Sequence, residues 1–183
     1  MQHYRENELT RRSCSLNHWT VDIEDLSIHF VHHRSTRADA IPLILCHGWP
    51  GSFHEFEHVV ERLAEPDSSD GAGAQAFHVV VASQPGFTFS SPPKTAKWGM
   101  EDTARVFDKL MTGLGYDKCV VLPPEPLREP QADELSLSRA RRYVAQGGDW
   151  GSITARCLGA LHKEHCIGAS LLPLARPHSS HGP

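Results

Sequence analysis

No stretch of this 183-residue chain approaches the roughly eighteen consecutive apolar residues that a membrane-spanning helix needs, and residues 1–30 are polar, without the apolar segment of a secretory leader. The cysteines Cys14, Cys46, Cys119, Cys157 and Cys166 are odd in number and show no paired spacing. A disulfide framework is therefore not expected, and a reducing compartment fits. Basic residues do not dominate: 18 Lys plus Arg against 22 Asp plus Glu give a formal net charge of −4, which leaves no electrostatic footprint for nucleic acid. His162, His165 and Cys166 have no matching second pair of metal ligands, so they read as a surface turn and no metal is expected. Gly-x-Ser-x-Gly is absent, which argues against a serine esterase. Tyrosine is scarce, and Tyr4, Tyr116 and Tyr143 all precede position 149. What remains is a one-domain, cytoplasmic chain, with no cofactor, nucleic acid or membrane anchor expected.

What is present is more specific. Gly147-Gly148-Asp149-Trp150-Gly151 fills a small-x-nucleophile-x-small pattern with a carboxylate at its centre. Glycines are needed around such an elbow because the tight turn brings the following helix against the sheet. About a hundred residues upstream, His47-Gly48-Trp49-Pro50-Gly51-Ser52 follows the apolar run Ile41-Pro42-Leu43-Ile44-Leu45-Cys46. A strand, a glycine turn and a helix lift backbone N–H groups toward a developing anion. The expected oxyanion donors are the N–H groups of Trp49 and Trp150, with Asp149 as candidate nucleophile. His47, Gly48, Pro50, Gly147, Gly148 and Gly151 are expected to hold the two loops, His47 by hydrogen bonds rather than as a base.

Alternation over residues 20–33 predicts a hairpin or pair of strands. Residues 41–46 and 77–82 are short, nearly continuous apolar runs, as in strands covered on both faces, and Cys46 reads as a buried hydrophobe. Between them Ser52 and Glu55 form a capping-box pattern ahead of a helix presenting Phe56, Val59, Val60 and Leu63. Residues 100–114 have helical spacing, with Gly113 and Gly115 as stops and Arg105 on a solvated face. A helix over 151–161 and a strand over 166–172 complete a mostly parallel sheet with helices on both faces, an α/β class.

Five blocks in order resemble the α/β-hydrolase epoxide hydrolases of the microsomal and fungal type. They are Leu26-Ser27-Ile28-His29-Phe30-Val31-His32, His47-Gly48-Trp49-Pro50-Gly51-Ser52-Phe53-His54-Glu55-Phe56, Gln84-Pro85-Gly86-Phe87-Thr88-Phe89-Ser90-Ser91, Thr103-Ala104-Arg105-Val106 and the elbow. The resemblance covers roughly residues 16–118 and 143–172. It implies a partial α/β-hydrolase fold, truncated after the elbow helix and next strand. On that reading residues 1–18 are expected to be the remnant of an N-terminal segment, 19–172 the partial core and 173–183 a disordered tail. Residues 119–142 break the pattern; they read as a tolerated surface insertion or as a translated intron.

The implied reaction opens an epoxide with water to a vicinal diol through an ester on Asp149, the partners being the epoxide and water. The resemblance also implies a histidine base, its carboxylate partner and two proton-donating tyrosines, all after the nucleophile. Only His162, His165, His178, His181 and Glu164 follow Asp149, with no tyrosine, so incomplete machinery and an exposed, association-prone sheet edge are expected. The alternatives are a haloalkane dehalogenase-like hydrolase, whose first displacement is the same, and a non-catalytic truncated domain.

Overall fold

A computed structural model describes residues 4–6, 16–71, 73–116 and 142–171. The expectations for residues 119–141 and 173–183 lie outside them. Seven strands form one sheet: β1 (Tyr4–Glu6), β2 (His18–Ile23), β3 (Leu26–His33), β4 (Ile41–Cys46), β5 (Phe77–Ala82), β6 (Tyr143–Gly147) and β7 (Cys166–Leu171). Their spatial order is β1-β2-β3-β5-β4-β6-β7. The N-terminal ribbon β1-β2-β3 and its junction with β5 are antiparallel, whereas β5-β4-β6-β7 run parallel. Among the described residues three α-helices accompany the parallel half: α1 (Glu57–Ala64), α2 (Met100–Gly113) and α3 (Asp149–Leu161).

The two apolar runs became strands at the expected residues because they are covered on both faces. Side chains alternate across the pleat, so Leu43 and Leu45 of β4, with Val79 and Val81 of β5, join the core beneath α1. Ile44, Cys46, Val80 and Ala82 point the other way, into a larger core with Phe107, Leu110 and Met111 of α2 and Leu158 of α3. Helices thus cover both faces.

The helix signals act as expected, with one refinement. Ser52 and Glu55 form a reciprocal capping box, but the first turn is a 3-10 turn over Phe53–Phe56, and the α-helix begins only at Glu57. At the end of α2, Gly115 at φ +91° lets its own N–H reach Thr112 O and the Tyr116 N–H reach Met111 O at 3.1 Å. That is the paired hydrogen-bond pattern of a glycine-stopped helix. Arg105 is not simply solvated: it pairs with Glu24 and Asp102 and lies over the Trp98 ring, 5.7 Å from its centroid.

The register fixes where a site can form. Cys46 aligns with Ala82 on one side and Gly147 on the other, so the carboxyl ends of β4, β5 and β6 are level. The chain leaves β4 toward β5 and later returns to β4's other side as β6. This switch of direction opens a crevice beyond the strand ends, where ligands of open α/β sheets bind. On the α1 face a groove of about 690 Å³ is lined by Leu43, Leu45, Val59, Leu63 and Val144 among others. β7 is the edge strand of the parallel half among the described residues, with Ile167 exposed.

Candidate active site

Three chain segments converge at that crevice: residues 47–52 after β4, residues 83–91 after β5, and the turn from β6 into α3. Asp149 is the first residue of α3 and adopts φ +50°, with Gly148 extended before it. A left-handed non-glycine residue stores on the order of 1–3 kcal/mol, and aspartate tolerates the region better than most residues. The conformation lifts the carboxylate off the end of the sheet.

The flanking glycines are steric requirements. A Cβ on Gly147 would lie 2.1 Å from Gly151 O, and one on Gly151 would lie 2.0 Å from Cys46 O and 2.6 Å from His47 O. Helix α3 therefore rests directly on the β4 backbone. A Cβ on Gly48 would come within 2.6 Å of Asp149 Cβ, so the upstream loop passes equally close to the elbow.

That approach delivers the Trp49 N–H, which donates to Asp149 Oδ1 at 2.8 Å. The N–H groups of Trp49 first and Trp150 second hold the Asp149 carboxyl below its ordinary range. The helix amino terminus favours the same negative charge. Trp49 and Trp150 are exposed, at 62% and 49%, so the carboxylate sits in an open setting between two indole-bearing residues. A carboxylate that accepts from the Trp49 N–H, with the Trp150 N–H beside it at a helix start, can attack an electrophilic carbon, and the same N–H groups can then stabilise an oxyanion on the resulting ester.

The loop is gripped from beneath. His47 is fully buried, and its Nδ1 is 2.9 Å from Gly48 O while its Nε2 accepts the Gln84 N–H at 3.0 Å. Burial holds its pKa below the ordinary value. Gln84 Nε2 donates to His47 O at 2.6 Å. The Trp49–Pro50 peptide is cis, and Glu55 accepts the Ser52 N–H at 3.0 Å. In the sequence Gln84 stands in a motif block without a role; the available signal was a polar residue just past the end of a buried parallel strand.

The remaining candidates lie elsewhere. His162 and His165 do not form a free surface turn: both imidazoles face the carboxylate of Asp108, His165 Nδ1 at 3.0 Å and His162 Nδ1 at 3.2 Å. Tyr143 also donates to Asp108, at 2.8 Å. This cluster lies at the opposite end of β6 and α3 from Asp149, about 20 Å away by the rise of a thirteen-residue helix. Tyr116 faces His32, at 3.0 Å. Among the described residues no histidine is hydrogen-bonded to Asp149, no group of three or more His, Cys, Asp or Glu side chains is arranged to hold a metal ion, and no helix is long and apolar enough to cross a membrane. His178 and His181 lie outside the described residues.

Comparison with known proteins gives a consistent result. The family model "Epoxide hydrolase N terminus" matches residues 2–56, and the model "alpha/beta hydrolase fold" matches residues 41–122. A putative epoxide hydrolase of Stigmatella aurantiaca is 34% identical over 91% of this chain and 33% of its own length. Epoxide hydrolase 1 of Oryctolagus cuniculus is 30% identical over 86% of this chain and 30% of its own. The structure of Aspergillus niger epoxide hydrolase superposes with a TM-score of 0.65 at 35% identity, covering 92% of this chain and 37% of that one. The chain thus spans about a third of the length of the curated relatives it matches.

Proposed function

The chain belongs to the epoxide hydrolases of the α/β-hydrolase superfamily, and we propose that it carries the ester-forming half of their reaction, with Asp149 as nucleophile. The observation that supports this most directly is the Asp149 carboxylate at the strand-to-helix elbow, with the Trp49 N–H donating to it and the Trp150 N–H helping to hold its pKa down.

An epoxide carbon is a saturated electrophile, strained but slow to react with water at neutral pH. A positioned carboxylate oxygen forms the new C–O bond as the ring C–O bond breaks, and the ring oxygen leaves as an alkoxide that takes a proton from solvent or from a donor beyond the described residues. A carboxylate is already anionic, so no base is required for this step. Completing the reaction requires a base that takes a proton from water as it adds to the ester carbonyl, whose own oxygen becomes the tetrahedral anion beside the Trp49 and Trp150 N–H groups. Collapse breaks the acyl C–O bond, the leaving alkoxide takes the proton back, and the vicinal diol departs with Asp149 restored. His47 is not the base for that water, because both its ring nitrogens are already engaged beneath the loop. A cytoplasmic setting is the companion proposal, supported by the free thiols of Cys46, Cys157 and Cys166.

The test is intact-protein mass spectrometry of the 183-residue chain incubated with styrene oxide. One covalent addition is expected, mapping to the peptide that contains Asp149 and absent from Asp149→Asn, with little sustained diol formation. An unmodified Asp149 after prolonged exposure to the epoxide would overturn the reading. Chloride release from a chloroalkane without epoxide opening would favour the dehalogenase alternative.

A further inference from the structure

The two oxyanion donors have different supports. The Trp150 N–H belongs to the first turn of α3, whose position is fixed by glycine contacts with β4. The Trp49 N–H belongs to a loop and needs something else to aim it.

The Gly48–Trp49 peptide shows what that is. Its carbonyl, Gly48 O, lies 2.9 Å from His47 Nδ1, and its N–H donates to Asp149 Oδ1 at 2.8 Å. In a trans peptide the C=O and N–H point in opposite directions, so a donor that holds the oxygen on one side directs the hydrogen to the other. His47 can donate from Nδ1 only if its proton is there. The Gln84 N–H, 3.0 Å from Nε2, settles the matter, since a backbone N–H cannot accept and the imidazole must therefore present Nε2 as a lone pair. The Gln84 side chain adds a second grip, donating from Nε2 to His47 O at 2.6 Å. Gln84 is itself only 3% exposed, so its amide has been withdrawn from water and has strong reason to keep that partner.

We propose that Gln84 is a positioning residue of the oxyanion loop: its backbone fixes the His47 tautomer, its side-chain amide fixes the His47 carbonyl, and together they aim the Trp49 N–H at Asp149. This rests on the assignment of Asp149 as the nucleophile. Gln84 touches neither Asp149 nor the reacting atoms; it acts two residues removed, through His47 and one peptide plane. Of its two grips only the side-chain amide can be removed by substitution, which makes the idea separable from the fold of the loop.

The experiment is NMR of the 183-residue protein, wild type against Gln84→Leu, with no epoxide present. In the wild type the imidazole ¹⁵N shifts of His47 should report a protonated Nδ1 and an unprotonated Nε2. In Gln84→Leu the backbone donor remains, so that signature should persist. The Trp49 amide should exchange with solvent faster by about tenfold, the size of effect that loss of one buried hydrogen bond produces, and the ¹³C-monitored titration midpoint of the Asp149 carboxyl should rise. Gln84→Met, which preserves side-chain length, carries the same test if the leucine variant does not fold. Lower stability with the Trp49 exchange rate and the Asp149 midpoint both unchanged would assign Gln84 to packing alone and overturn the proposal; so would a wild-type His47 protonated on Nε2. Because no reading depends on turnover, the two failures are distinguishable: failure of the epoxide to alkylate Asp149 in the companion experiment removes the catalytic meaning of the Trp49 N–H, whereas unchanged Trp49 exchange and Asp149 midpoint remove the positioning by Gln84.

Discussion

At the scale of single residues, Asp149 is the group whose chemistry the surroundings alter most usefully. Two N–H donors depress its pKa, so its anionic form persists to lower pH than that of an ordinary carboxylate, which titrates near pH 4. The rate of adduct formation with an epoxide should accordingly be level from pH 8 to about pH 5 and fall only below the ordinary carboxylate range. A rate that climbs through neutrality would instead implicate a histidine or a thiol. The elbow glycines make a second, steric prediction. Gly151→Ala drives a Cβ onto the backbone oxygens of Cys46 and His47, neither of which can move without separating α3 from β4, so a loss on the order of 3 kcal/mol is expected in urea unfolding. Gly159→Ala, in the same helix, meets only the Ala169 Cβ at 3.2 Å, and its gain in helix propensity offsets the crowding. Equal stabilities for the two variants would show that the close approach is not required. These positions were legible in the sequence because glycines at fixed spacing around an acidic residue, just past an apolar run, match the steric demands of a tight strand-to-helix turn. The Gln84 grip was not, because nothing in a linear sequence marks which backbone N–H will face an imidazole 37 residues earlier.

At the scale of elements, the strands and helices with uniform burial were the ones that composition could locate. β4 and β5 fell where the apolar runs lie, and α2 ended at its glycines. β1 was not foreseen, since three residues of strand carry too little alternation to register. Asp108 was missed for a different reason. It lies four residues after Ala104 and three before Met111, on the buried stripe of α2, where an acidic residue signals either an error in the helix phase or a buried acceptor. It is the second. From that position it accepts from Tyr143 at the start of β6 and from His162 and His165 at the end of α3, so one carboxylate ties three elements at the end of the sheet opposite the elbow. Asp108→Ala would leave a fully buried phenol hydroxyl and two imidazoles without their acceptor, at a cost of roughly 2–4 kcal/mol. Asp108→Asn keeps one acceptor oxygen and should lose less. Urea denaturation of both variants reads this directly, and a loss below about 0.5 kcal/mol for Asp108→Ala, the scatter of ordinary surface changes, would show that the cluster is incidental.

At the scale of the whole molecule, the antiparallel ribbon hides an unusual amount of imidazole, and this sets how the protein should respond to acid. His29 is fully buried, its two ring nitrogens 2.9 Å from His18 Nδ1 and 2.9 Å from Ser83 Oγ. Burial, then the neighbouring His18, lowers its pKa to about 3. His32, against Tyr116, is lowered to about 4, by burial first and Arg34 second. In the unfolded chain both titrate near pH 6.5. A folded pKa below the unfolded one means that the unfolded state binds the extra protons, so the stability that these groups contribute is complete above about pH 6.5 and is lost progressively as pH falls toward the folded values. Two such groups give a slope of up to about 2.7 kcal/mol per pH unit once both are protonated in the unfolded state. His18, His47 and His78 are also lowered, mainly by burial, and act in the same direction. Unfolding free energy measured in urea should therefore hold steady from pH 8 to 7 and decline through pH 6 and 5, ahead of the window in which depressed carboxylates such as Glu24 and Asp102 begin to matter. His32→Gln removes one of the linked protons, so its slope between pH 6 and 5 should be shallower than that of the wild type, whatever the substitution does to stability at pH 8. A profile that is flat from pH 8 to 5 would mean that these imidazoles are hydrated in solution and that the ribbon is not the closed, dry layer that the structure describes.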